Sequence, residues 1–195
     1  MPMSSICRSR ENPPPPLRLI WLPSVSFTTR WSGRNIACLT WYAGLRIHEC
    51  FRIDTVIGEQ ALRENAITIK GKGGKVRSVP ISESISIELK KLLAVTSRGH
   101  KLFVPDGVST DIAIARLQQY IYKVRPQIQD EGSTHPMTLH GLRHSYAART
   151  YQKSIDSGMS PLSASLRVSQ LLGHERPDVT RGYLAFIPKN GADGK

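Results

Sequence analysis

A chain of 195 residues with 39% hydrophobic content is long enough to bury one core of ordinary domain size. Its 27 Lys and Arg against 15 Asp and Glu leave a net charge of +12, which points to a polyanionic partner, either nucleic acid or an acidic membrane. Three widely spaced cysteines, Cys7, Cys38 and Cys50, exclude a disulfide framework and a zinc site and suit a reducing cytosol.

The basic residues run from Arg8 to Lys195 without forming a block, as expected of a folded basic surface and not of a basic arm. The longest apolar-leaning stretch, 17–27, is too short to cross a membrane and contains Arg18 and Pro23. The start of the chain lacks the hydrophobic run of a signal peptide. Residues 1–33 hold a run of four prolines, Pro13 to Pro16, and show no period despite Trp21, Phe27 and Trp31. They are expected to form an irregular, proline-rich lead-in.

From Asn35 the pattern is helical, with Ile36, Leu39, Tyr42 and Ala43 recurring at three and four before Gly44 interrupts. Arg46 and Glu49 follow, read either as an exposed helical ion pair or as a buried arginine aimed at a ligand with Glu49 in support. Residues 66–70 and 75–81 read as two strands around Gly71-Lys72-Gly73-Gly74, a hairpin with Lys72 at its tip. Apolar stripes then predict helices over 84–96 (Ile85, Leu89, Leu92) and 110–124 (Ile114, Leu117, Ile121, Val124), with the apolar run 102–104 between them. Residues 125–136 read as a polar, proline-containing connector. A helix is expected over 139–150, and a second one begins at Ser160-Pro161 and runs to Leu172. A last short helix is placed from Asp178 onward, and 189–195 reads as a flexible tail. The fold class is therefore α+β, mostly helical with a small hairpin sheet.

The stretch 138–183 carries the chemistry. Thr138 is a plausible N-cap, so His140 and Arg143, three apart, share a face near a helix N-terminus that favours an anion. His174 closes the Leu172-Gly173-His174 helix end, and Tyr183 follows nine positions later. Taken singly, each has a plainer reading: a solvated face, a glycine C-cap, a packed tyrosine, and for Lys72 a solvated loop lysine.

In chain order, five motifs carry a resemblance. They are Ala43-Gly44-Leu45-Arg46-Ile47-His48-Glu49, the hairpin from Ile69 to Pro80, His140-Gly141-Leu142-Arg143-His144-Ser145, Leu172-Gly173-His174-Glu175 and Thr180-Arg181-Gly182-Tyr183. Together they resemble the catalytic domain of the tyrosine recombinases, the phage-integrase and Xer-like family, over 34–188.

The resemblance implies a DNA strand-exchange enzyme with a 3′-phosphotyrosyl intermediate. Tyr183 would be the nucleophile and His140 its general base. Arg46 and Arg143 would clamp the non-bridging phosphate oxygens, His174 would donate a further hydrogen bond, Lys72 would protonate the leaving 5′-oxygen and Glu49 would support. It implies no metal and no cofactor, double-stranded DNA as partner, self-association into a tetrameric synapse, no membrane and a cytoplasmic location. The other readings are an inactive DNA-binding remnant of an integrase and a type IB topoisomerase-like enzyme. Family members also carry a separate N-terminal helical DNA-binding domain, for which the segment before Arg34 is too short. This stretch of chain is accordingly expected to bind DNA weakly and to cleave poorly without such a domain.

Overall fold

The structure is a computed structural model that describes residues 33–71, 74, 76–129 and 136–173. Among these lie seven α-helices and one two-stranded sheet. The expectations for 1–32 and for the segment from Asp178 to the end, including the tail 189–195, lie outside the described residues.

Helix α1, Gly33–Ala43, buries Ile36, Leu39 and Ala43 and ends at Gly44, whose φ of +61° takes the left-handed turn that a β-carbon disfavours. One turn of helix follows, α2, Ile47–Cys50, with Arg46 as its N-cap residue. Helix α3, Thr55–Glu64, was not foreseen from the sequence. Asp54 caps its start by accepting from the Ile57 amide at 2.8 Å, and Asn65 ends it at φ 51°. Its fully buried residues, Thr55, Gly58 and Ala61, are small or polar, and Ile57 and Leu62 pack beside them against the core while only partly buried.

Strands β1, Ala66–Lys70, and β2, Val76–Pro80, pair antiparallel as expected, with Ile67 opposite Val79 and Ile69 opposite Arg77. Ile67, Ile69 and Val79 put the inner face of this hairpin into the main core. Helix α4, Glu83–Val95, is capped by Ser82 and buries Ile85, Leu89 and Leu92, the stripe read from its period.

Helix α5, Thr110–Ile128, corrects one boundary, because it runs through Arg125 and Pro126 where a connector was expected. Ile128 extends the Ile121 and Val124 stripe into a cluster with Ala37 and Leu142. Burying it contributes ~1.5–3 kcal/mol, enough to offset most of the ~3 kcal/mol that an interior proline costs. Helix α6, Leu139–Asp156, likewise extends past Thr150 and buries Ser154. It packs against α1 and against α7, Pro161–Leu172, whose Ser160 cap and Pro161 start agree with the sequence. Arg149 of α6 stacks 3.8 Å over the Trp41 ring and donates to the Trp41 carbonyl, fastening α6 to α1. No described helix is long and apolar enough to cross a membrane.

Candidate active site

The turn after α1 delivers Arg46 to one wall of the site. Gly44 ends the helix, Leu45 is buried, and Arg46 caps α2 with extended backbone. Its amide donates to Glu49 Oε2 at 2.7 Å and its Nη1 to Glu49 Oε1 at 3.2 Å. Of the two residues, the glutamate is the buried one, at 4% exposed against 36% for the arginine. The expected pair therefore exists, with Glu49 in support, but the arginine is not its buried member. Glu49 lies in the protein and Arg46 leans over it with its guanidinium partly open to the surface.

The opposite wall is the first turn of α6. Thr138 Oγ1 accepts from the Gly141 amide at 2.9 Å, which confirms the cap. Arg143, three residues beyond the exposed His140, is 1% exposed. Its Nη1 donates to the Gly44 carbonyl and its Nη2 to the Leu172 carbonyl at 2.6 Å, while Nη1 stands 4.0 Å from Glu49 Oε2. One guanidinium so joins the start of the Arg46 turn to the end of α7.

Arg46, His140 and Arg143 line a single cleft of about 410 Å³, which Gln118 and Arg125 of α5 and His48 of α2 also line. Partial desolvation of the otherwise exposed ring, and behind it the charges of Arg143 and Arg46, hold the His140 imidazole below its ordinary pKa. Its ring meets that of His144 edge-on, with centroids 4.7 Å apart. A neutral imidazole in a cleft that two arginines also line can accept a proton, and the partly open Arg46 guanidinium is free to meet an anion there.

Sequence reasoning missed Arg77. It donates from Nη1 to Glu49 Oε1 at 2.8 Å and from Nη2 to Glu49 Oε2 at 2.7 Å. Burial alone would push the Glu49 carboxyl up, but the Arg77 bonds, the Arg46 amide and the charges of Arg77 and Arg143 bring it down to about 2. A signal was present, since Arg77 falls two residues before the buried Val79 and so shares its inward strand face. Of the expected site residues, the structure brings together Arg46, Glu49, His140 and Arg143. Lys72, His174 and Tyr183 lie outside the described residues.

The model of the phage integrase family matches residues 24–188. The chain belongs to the phage integrase family. Among relatives of this phage integrase chain, tyrosine recombinase XerD of Shewanella oneidensis is 26% identical over 174 residues, which cover 85% of this chain and 53% of XerD. Tyrosine recombinase XerA of Pyrococcus horikoshii is 27% identical over 175 residues, covering 85% and 54%. The chain thus spans about half the length of the curated relatives it matches. Solved structures share the phage integrase fold. A XerA recombinase crystal structure superposes with a TM-score of 0.60 at 24% identity, over 86% of this chain and 57% of that one. A lambda integrase dimer bound to a COC′ core site gives 0.62 at 16% identity, over 92% and 48%.

Proposed function

We propose that this chain carries the DNA cleavage and rejoining chemistry of a site-specific tyrosine recombinase. The observation that carries the reading is the cleft lined together by Arg46, Arg143 and an imidazole of lowered pKa. Two guanidinium forks suit the non-bridging oxygens of a phosphodiester, whose negative charge grows in a pentacoordinate transition state.

In the proposed step the Tyr183 oxygen attacks phosphorus, the phenolic proton passes to His140, and the bond from phosphorus to the 5′-oxygen breaks. A phenol of pKa ~10 needs such a base at neutral pH. Lys72 gives its proton to the leaving 5′-oxygen, and His174 adds a hydrogen bond to the phosphoryl oxygens. The 3′-phosphotyrosyl link keeps the bond energy, so attack by a 5′-hydroxyl reverses the step and returns the proton from His140 to the phenolate. Double-stranded DNA is the proposed partner, in keeping with the +12 charge. DNA-bound relatives support it, among them a XerH recombinase bound to its difH substrate, at 21% identity and a TM-score of 0.55. Assembly into a tetramer on that DNA is part of the same proposal.

The experiment is covalent trapping on a nicked duplex, whose released fragment diffuses away and leaves the adduct. An adduct from the chain that is lost in Tyr183→Phe is the expected result. An adduct that survives in Tyr183→Phe, or that maps to Tyr146 or Tyr151, would overturn the assignment. DNA binding with no adduct would favour a binding remnant instead.

A further inference from the structure

Arg77 joins three parts of the chain that are remote in sequence. From β2 its two Nη atoms occupy both oxygens of Glu49, 28 residues away, and its Nε donates at 3.0 Å to the carbonyl of Leu171, 94 residues away. Its side chain is 10% exposed, and its Cδ and Nη1 sit 3.0 and 3.1 Å from where a β-carbon on Gly173 would be. Such a fork has one geometry, because planar guanidinium and planar carboxylate align through two parallel bonds. Glu49 also receives the backbone amide of Arg46. Fixing the carboxylate therefore fixes the turn from which Arg46 reaches into the cleft.

Resting on the recombinase reading, we propose that Arg77 is a positioning residue for the phosphate-binding arginines. By gripping Glu49 and the end of α7 at once, it sets Arg46 and the departure of the chain toward His174 in one frame with β2, the strand that follows Lys72. Arg77 does not meet the phosphate; it acts through Glu49. A charge alone would not serve. An ammonium at this position could neutralise Glu49 but could hold neither both oxygens in register nor the Leu171 carbonyl. Nor is the pair only a structural ion bridge, since the same carboxylate holds the Arg46 amide and Nη1.

Single-turnover cleavage of the nicked duplex tests this in the full chain with Arg77→Met, Arg77→Lys, Glu49→Gln and the Arg77→Met/Glu49→Gln double variant, with folding followed by near-UV circular dichroism. Both Arg77 variants should cleave about 100-fold more slowly, the loss that a misplacement of about 1 Å produces. Because Arg77 acts through Glu49, the double variant should be no slower than the worse single one. The charged and titratable groups around the Glu49 carboxylate are Arg46, Arg77, Arg143 and the Cys50 thiol. Without Arg77 the carboxyl titrates at a higher pH, so the loss of rate in acid should begin at a higher pH in Arg77→Met than in the unsubstituted chain. Should Arg77→Met fail to fold, Arg77→Lys and its pairing with Glu49→Gln carry the same comparison. Losses that add in the double variant, or Arg77 variants that cleave at the unsubstituted rate, would overturn this inference and leave the recombinase reading standing. No adduct from the unsubstituted chain would overturn the recombinase reading and this inference with it.

Discussion

The ring of Tyr146 lies where a side chain at Gly44 would go: an added β-carbon would sit 2.4 Å from its Cδ1 and 2.7 Å from its Cε1. Gly44 also has a φ of +61° and gives its carbonyl to Arg143. Gly44→Ala therefore meets backbone strain and a steric clash together. It should destabilise the fold by about 1–3 kcal/mol, seen as a lower urea midpoint. Because Arg46 follows two residues on, cleavage should fall by more than the unfolded fraction accounts for. An unchanged midpoint would mean that the Tyr146 ring is not held in this place.

Stability should fall in acid through Glu49. Its folded pKa of about 2 lies below the ordinary value of 4.5, so the stabilisation is complete above 4.5 and is lost as pH falls toward 2. The difference corresponds to about 3 kcal/mol. Urea midpoints taken through that window should drop for the unsubstituted chain. Glu49→Gln should start lower, because Arg77 is left without its anion, and should respond less to pH. Equal slopes for the two proteins would assign the acid sensitivity to other carboxyls.

His140 should titrate below the ordinary histidine range. Burial comes first among the causes and the two arginines come next, so Arg46→Met should raise its pKa by removing one repelling charge. The proton NMR signal of the ring reports this directly. The lowered pKa keeps the imidazole neutral at neutral pH. Cleavage limited by this base should therefore be lost as pH falls through the pKa that the titration gives, and in Arg46→Met that limb should begin at higher pH.

Cys50 should resist alkylation in the folded chain. It is fully buried, and burial, followed by the nearby Glu49 charge, pushes its thiol up to about 12. Cys38 is partly exposed and should react before Cys50. Mass mapping after a brief pulse of iodoacetamide, with and without denaturant, separates the two. Labelling of Cys50 in the native chain would show that the turn after Arg46 opens.

What the sequence disclosed was local. The hairpin was legible from Gly71, Gly73 and Gly74 between two β-leaning runs, and the start of α7 from Ser160-Pro161, because such signals act within a few residues. Helix α3 escaped because its fully buried positions are the small or polar Thr55, Gly58 and Ala61, so Ile57 and Leu62 beside them make only a weak apolar stripe. Pro126 misled because its local cost is visible in sequence while the burial of Ile128 that offsets it is not. In the site, the pairing of Arg46 with Glu49 could be read at a spacing of three. The burial of Glu49 could not, since it depends on Arg77 from another element.

The last carbonyls of α7 form the negative pole of that helix, and two arginines answer it: Arg77 on Leu171 and Arg143 on Leu172. Arg143 at the same time lines the cleft where an anion would bind. A helix end and a bound phosphodiester would then draw on one guanidinium, and linked equilibria are reciprocal. Loosening the end of α7 would alter the grip on the anion, and filling the cleft would alter the tether of the chain beyond Gly173. An Arg143→Ala chain would consequently lose two things in one step, and its rate would measure the sum. The anion contact alone is better isolated at Arg46, whose guanidinium makes no bond to α7 among the described residues.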